Sequence, residues 1–159
     1  MTDFEKEGTV GWITRLFGHL AWADGTLLER LEQVPNAEAL RLLAHVVVAE
    51  RIWLGRIRGE GLPLAPWDPQ DLEQVRSLAQ EVASGFTALL PGLTSERLTD
   101  SVQYRNSRGD AHATALGDIL LHVAMHGAPH RGQICSMLAP SGQAPALDYF
   151  LYAMERPVG

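Results

Sequence analysis

Apolar positions recur along the chain at helical spacing, in long stretches separated by breaks that carry proline and glycine. Residues 11–34 place Leu16, Leu20, Ala23, Leu27 and Leu31 on one face and stop at "PN", which predicts a first helix. A second helix is expected from Ala37 to about Arg58. That stretch lacks proline, and Leu40, Leu43, Val46, Val47, Val48, Ile52, Trp53, Leu54 and Ile57 occupy most of its circumference. A helix that is apolar on nearly every side belongs at the centre of a protein or at an interface. The loop "GEGLPLAPWDPQ" follows, and Asp68 with Pro69 behind it predicts the start of a third helix that ends before "PGLTSE". Next, "RLTDSVQYRNSRGDAH" mixes polar and β-branched residues around an "NSRG" turn, the pattern of an irregular excursion or a small hairpin. Thr114 is placed to cap a fourth helix, with Asp118 in its first turn and apolar residues at 116, 119, 120, 123, 134, 137 and 138. A short terminal helix in "ALDYFLYAMER" is expected to cross the end of the bundle. The predicted fold class is therefore all-α, an antiparallel bundle of four main helices with a small excursion before the last long one.

Composition narrows this without changing it. The 159 residues suit one domain spanning 1–159, and 46% apolar with 20% charged residues is the balance of a chain that folds in water. No stretch approaches the ~20 uncharged apolar residues that cross a bilayer. "MTDFEKEGTV" has acidic residues and no apolar core of the kind a secretory signal needs, and the single cysteine, Cys135, has no partner for an internal disulfide. A cytoplasmic location is expected. The net charge of −6 comes without any basic run able to neutralise a row of phosphates, so direct nucleic-acid binding is not expected.

The chemistry concentrates in "LHVAMHGAPHRGQI", where His122, His126 and His130 stand four residues apart. With Leu116 at zero and 100° per residue, the apolar arc of the fourth helix runs from about 300° to 40°. His130 falls at about 320° and His126 at about 280°, whereas His122 falls at about 240°. The pair His126 and His130 therefore faces inward, and His122 does not. Two imidazoles one turn apart can direct nitrogens to one ion, but a third ligand must come from elsewhere. His45, flanked by apolar residues in "LLAHVVVAE", is the natural choice, with His19 the alternative. Three histidines with one open position describe a site for water or substrate, since closed structural zinc sites usually employ cysteines. The same histidines also suit a packed core without any ion. Imidazole accepts zinc, nickel, copper and iron alike, so the residues do not select the metal. Pro129, between His126 and His130, removes one helical hydrogen bond and marks either a tolerated kink or a local constraint.

Other residues carry two readings each. Asp24 faces inward beside Leu20 and Leu28, where it can hold a ligand histidine's second nitrogen or pair with an arginine. Glu50 lies amid Leu43, Val47 and Leu54, where burial would raise its pKa and suit proton transfer; an arginine partner is the other reading. Cys135 lies about 140° round from His130 and reads as core. Trp12, Trp22 and Trp53 read as packing or dimer-contact residues.

The segment "LHVAMHGAPHRGQICSML" resembles the signature of the DinB-like family of damage-inducible bacterial proteins, a histidine, three residues, then "HRGQ" and an apolar residue, here His126 to Ile134. "LFGHLAWADGTLLERL", "LLAHVVVAERIWLGRIRG", "VQYRNSRGDAHATALGDILLHV" and "ALDYFLYAMER" resemble the family's other segments in the same order. The pattern differs at Pro129 and at Asp24, where asparagine is more usual. The resemblance implies a four-helix bundle in up-down-down-up order, a homodimer, and a divalent metal held by His45, His126 and His130. Zinc or nickel is the first expectation, with iron, manganese and copper also open.

The resemblance further implies transfer chemistry that uses a low-molecular-weight thiol, acting on a small-molecule substrate, with metal-dependent hydrolysis as the enzymatic alternative. No "HExxH" stands beside the ligands, which argues against a protease. No catalytic residue is legible beyond the ligands. The competing expectation is a non-catalytic metalloprotein, a dimeric stress-response module whose surface does the work.

Overall fold

The computed structural model describes residues 3–61 and 64–156, with side chains from Gly8 onward. The two chain ends and two positions of the expected loop, Leu62 and Pro63, lie outside the described residues. The chain is mostly helical with one small antiparallel sheet: α1 (Asp3–Gln33), α2 (Ala37–Arg58), α3 (Leu72–Leu89), β1 (Ser101–Arg105), β2 (Ala111–Ala115), α4 (Leu116–Leu138) and α5 (Tyr149–Glu155). The expected excursion before α4 is a hairpin, paired from Ser101↔Ala115 to Arg105↔Ala111. Its turn is held by Asn106, whose side-chain oxygen accepts from the Arg108 and Asp110 amides at 2.9 and 3.0 Å. Gly109 takes a φ of 88° there, a conformation that a side chain would strain.

Helix ends follow local chemistry, with two corrections to the expected caps. Asn36, the second residue of the "PN" stop, also starts α2, its side chain accepting from the Ala39 amide at 2.9 Å. The third helix starts at Leu72, not near Asp68. Asp71 and Gln74 exchange 2.8 Å bonds in a capping box, satisfying two otherwise orphaned amides, and this outweighs a cap at Asp68. Asp68 closes a turn instead by accepting from the Ala65 amide. Thr114 does not cap α4. It lies in β2 opposite Val102, its hydroxyl meets Tyr104, and the Leu116 amide is taken by the Asp100 carbonyl at 2.9 Å.

Helix α2 is central, as its apolar circumference predicts: residues 42–48 are buried without interruption. Two apolar clusters hold the helices together. One gathers Phe17, Leu20, Leu54, Val82, Phe86, Ile119, Leu120 and Val123, and the other gathers Leu27, Leu31, Leu43, Val47, Val75, Ile134 and Leu138. Each such side chain contributes about 1.5–3 kcal/mol by leaving water, so these clusters supply the main driving force for folding. Between the clusters lies a polar layer, with Asp24 on α1, Glu50 on α2 and Arg131 on α4. Helix α5 packs on the flank of α1, not across an end, with Tyr149 and Tyr152 against His19 and Tyr152 beside Gly18.

Pro129 sits within α4, which remains helical through it. The residue is exposed, and Met125, whose carbonyl loses its helical partner, is 70% exposed. The proline thus removes a hydrogen bond on the side where water can replace it.

Candidate metal centre

Helices α2 and α4 pack side by side, and their facing sides bring together the three expected histidines. The ligating nitrogens of His45, His126 and His130 lie within 4.8 Å of one another. Ring centroids are 5.1 Å apart for His45–His126, 5.0 Å for His45–His130 and 5.2 Å for His126–His130, an almost even triangle. The remaining histidines fall away from it. His122 is exposed and lies against the Trp53 and His126 rings, while His19 donates through Nε2 to the Leu147 carbonyl at 2.7 Å. Helical spacing alone singles out His126 and His130; the choice between His45 and His19 rests on how α2 packs.

The rings are held in the form a metal needs. His45 donates through Nδ1 to the Pro66 carbonyl at 2.7 Å, and His130 donates through Nδ1 to the Gln133 side-chain oxygen at 2.9 Å. A carbonyl only accepts, so each Nδ1 carries a proton, the tautomer that in a neutral ring leaves Nε2 with its lone pair. Such outer contacts orient ligand histidines and fix their tautomers. Trp67 stacks flat on His45, with centroids 3.6 Å apart and planes 5° from parallel, and Arg41 lies over the same indole at 4.8 Å. Burial lowers the His45 pKa, and it lowers that of His126 to about 4, with the neighbouring imidazoles adding to the effect. Both are neutral at pH 7, the state that ligates. The donor set, its tautomers and its protonation therefore fit a divalent ion.

Beneath the triad lies the polar layer. Arg131, 5% exposed, donates through Nε to Asp24 at 2.8 Å and through Nη2 to Glu50 at 3.0 Å. Both acids thus take the arginine reading, and the Nδ1 positions of His45 and His130 are engaged by Pro66 and Gln133, not by Asp24. Burial works against the Arg131 charge, but its two carboxylate neighbours outweigh it and raise the pKa. Glu50 is pushed well above the usual carboxylate range by burial and by the nearby Asp24, against the pull of Arg131. Its Oε2 is the one buried side-chain polar atom without a partner among the described residues. Cys135 is half-buried, with its thiol toward the Pro145 carbonyl at 3.5 Å, and stands outside the triad. Of the tryptophans, Trp53 packs against Tyr104, Trp22 against Tyr152, and Trp12 is 49% exposed.

Four contributors escaped the sequence reading. Arg131 had a signal, since on the same wheel it falls at about 60°, beside the apolar arc, where a charge needs a partner. Gln133 stood in the "HRGQ" signature without a role, and Pro66 and Trp67 had no signal, because their roles depend on a loop folding back over α2.

The fold and the site define a helical protein in which two neighbouring helices bring three histidines within reach of one ion. The chain belongs to the DinB family, whose sequence profile matches residues 9–157. It is similar to Protein DinB of Bacillus subtilis (strain 168), at 25% identity over 159 residues, covering 87% of this chain and 91% of that protein. Among the described residues no helix is long and apolar enough to cross a membrane.

Proposed function

We propose that this chain is a metal-dependent transferase that uses a low-molecular-weight thiol, with His45, His126 and His130 as the metal ligands. The observation that carries this reading is the all-imidazole triad: three converging donors, no cysteine or carboxylate among them, and so an incomplete set that leaves room for an outside ligand. When bound, a divalent ion supplies a Lewis-acid position that favours loss of a thiol proton. The protein's own part is orientation and shielding. Pro66 and Gln133 hold two rings in register, Trp67 covers one face of His45, and Arg131 ties α4 to α1 and α2 directly beside His130. A reducing cytoplasm, which keeps small thiols in the reduced form, is the fitting location.

The bundle order up-down-down-up accompanies this reading. Phe17 meets Phe86 and Glu32 meets Arg76, which supports α1 and α3 running in opposite directions. Arg51 meets Glu81 and Arg58 meets Gly85, which supports α2 and α3 running together. Asp24, Glu50 and Arg131 meet at one level, with Leu20, Leu54 and Val123 to one side and Leu27, Val47 and Ile134 to the other, as α4 parallel to α1 requires.

Metal analysis of protein purified without a histidine tag, followed by a screen of small thiols against electrophiles, tests the function. The expected result is near-stoichiometric metal and turnover with at least one thiol that stops on chelation while the fold persists. Stoichiometric metal with no thiol turnover, and unfolding on chelation, would instead make the ion a structural clamp.

A homodimer is also proposed. It is supported by Leu121 and Met125 one turn apart on α4, 48% and 70% exposed, and by Phe150 and Met154 one turn apart on α5, 71% and 62% exposed. Met125→Glu should convert a dimer to a monomer in sedimentation, and a wild-type monomer would end this part of the reading.

A further inference from the structure

A cavity of about 550 Å³ opens where the end of α2, the loop after it and strand β1 meet. It falls within the size range of small-molecule sites. Ile52, Leu64, Pro66 and Tyr104 give it an apolar wall, and Arg56, with Arg105 farther along, gives it charge. It adjoins the triad twice. Pro66 both lines the cavity and receives the His45 Nδ1 proton, and Tyr104 leads through Trp53 and His122 to His126 by successive ring contacts of 5.1, 5.4 and 5.5 Å.

Arg56 is the unusual member. Its guanidinium lies 4.5 Å from the Trp53 ring centre and 4.9 Å from that of Tyr104, half-buried between two aromatic side chains. Among the described residues it has no ion pair and no hydrogen-bond acceptor for its side chain. Aromatic faces offset part of the cost of withdrawing this cation from water but offer no acceptor in the plane of its fork of donors. Burial lowers its pKa, with the neighbouring Tyr104 opposing the shift. The acidic residue on the cavity wall, Glu60, is already engaged by Arg51 at 3.1 Å, with Arg58 at 3.9 Å. Arg105 spends one donor on the Gly109 carbonyl at 2.7 Å. A chain of net charge −6 thus holds a locally positive, partly apolar cavity beside its histidine triad.

We infer that this cavity binds a small organic carboxylate, with Arg56 pairing to the carboxylate and the Ile52, Leu64 and Tyr104 wall taking the organic body. Guanidinium and carboxylate match as two parallel hydrogen bonds, and one free fork suits a carboxylate better than a multiply charged phosphate. As a statement about the transferase's substrate class this rests on the proposed function, but binding itself can be measured without turnover.

The test is calorimetric titration of the metal-replete full chain with benzoate and succinate, each beside its neutral amide. Saturable binding of at least one carboxylate, and none of its amide, is expected. Arg56→Met should weaken that binding roughly 10- to 100-fold, the worth of charge-assisted hydrogen bonds, with metal content unchanged. Arg56→Lys, which keeps the charge but not the fork, should fall between, and it serves if the methionine variant fails to fold. Binding that is indifferent to both substitutions, or no saturable binding of either acid to the wild type, overturns the inference. Arg56-dependent binding in a protein without metal or thiol turnover would uphold the cavity and remove the transferase reading. Metal and thiol turnover with Arg56-indifferent binding would do the reverse.

Discussion

Replacing Arg131 with methionine is expected to cost about 3–5 kcal/mol of folding stability at pH 7, the penalty for removing one partner of a buried ion pair. Asp24 and Glu50, each 2% exposed, would then face each other with no cation between them. For a domain whose whole stability is about 5–15 kcal/mol, the loss is large. The guanidinium packs directly over Gly127, where a Cβ would lie 2.6 Å from its Nη1. Because Arg131 follows His130 on α4, the variant should also lose metal affinity. Urea denaturation measures the first effect, and a change below about 1 kcal/mol would show that the buried layer is not held by this arginine.

Glu50→Gln should behave differently. A carboxyl whose folded pKa is raised binds more protons folded than unfolded, so stability falls as pH climbs from the ordinary value of 4.5 towards the raised one. Across that window the folded protein favours the protonated carboxyl, a form that glutamine imitates. The variant is therefore expected to match or exceed wild-type stability at neutral pH and to flatten the decline above pH 4.5. A steep loss of stability in Glu50→Gln would mean that the charged form is the one the fold requires.

His126→Ala is expected to abolish stoichiometric metal binding. It removes the α4 member of the triad that stands one turn from His130 and 5.1 Å across from His45. Two remaining imidazoles make a poor site for a divalent ion. The ring is only half-buried, so the metal-free variant should fold with a loss of roughly 1 kcal/mol, separating the site from the scaffold. His45→Ala should lose metal in the same way, whereas His122→Ala and His19→Ala should keep it. Gln133→Ala, which releases the His130 Nδ1 proton, should weaken affinity about 10- to 100-fold without removing the site. Metal content by mass spectrometry after dialysis checks the series. Retention of metal in His45→Ala with loss in His122→Ala would replace the triad by a run along α4 alone.

Much of this was legible in the chain because the signals were local. The span of α2 follows from its apolar run and from Asn36 and Gly59 at its ends, and the "NSRG" turn marks the hairpin. The inward direction of His126 and His130 follows from the same 3.6-residue period that defines α4. Caps were harder. Two aspartates, Asp68 and Asp71, stood before α3, and the reciprocal bond with Gln74 decided between them. Thr114 has the right chemistry for a cap, but strand pairing with β1 claimed it first.

By itself, then, the sequence determined four long helices, a turn-closed excursion and two histidines one turn apart, since each depends on neighbours within about one or two helical turns. Only the tertiary structure decided that His45 and not His19 completes the cluster, that Pro66 and Trp67 clamp it, and that Arg131 joins Asp24 across 107 residues. Those contacts arise between elements remote along the chain, where side-chain periodicity says which face turns inward but not what it meets. Packing of α2 against α4 supplies that missing partner.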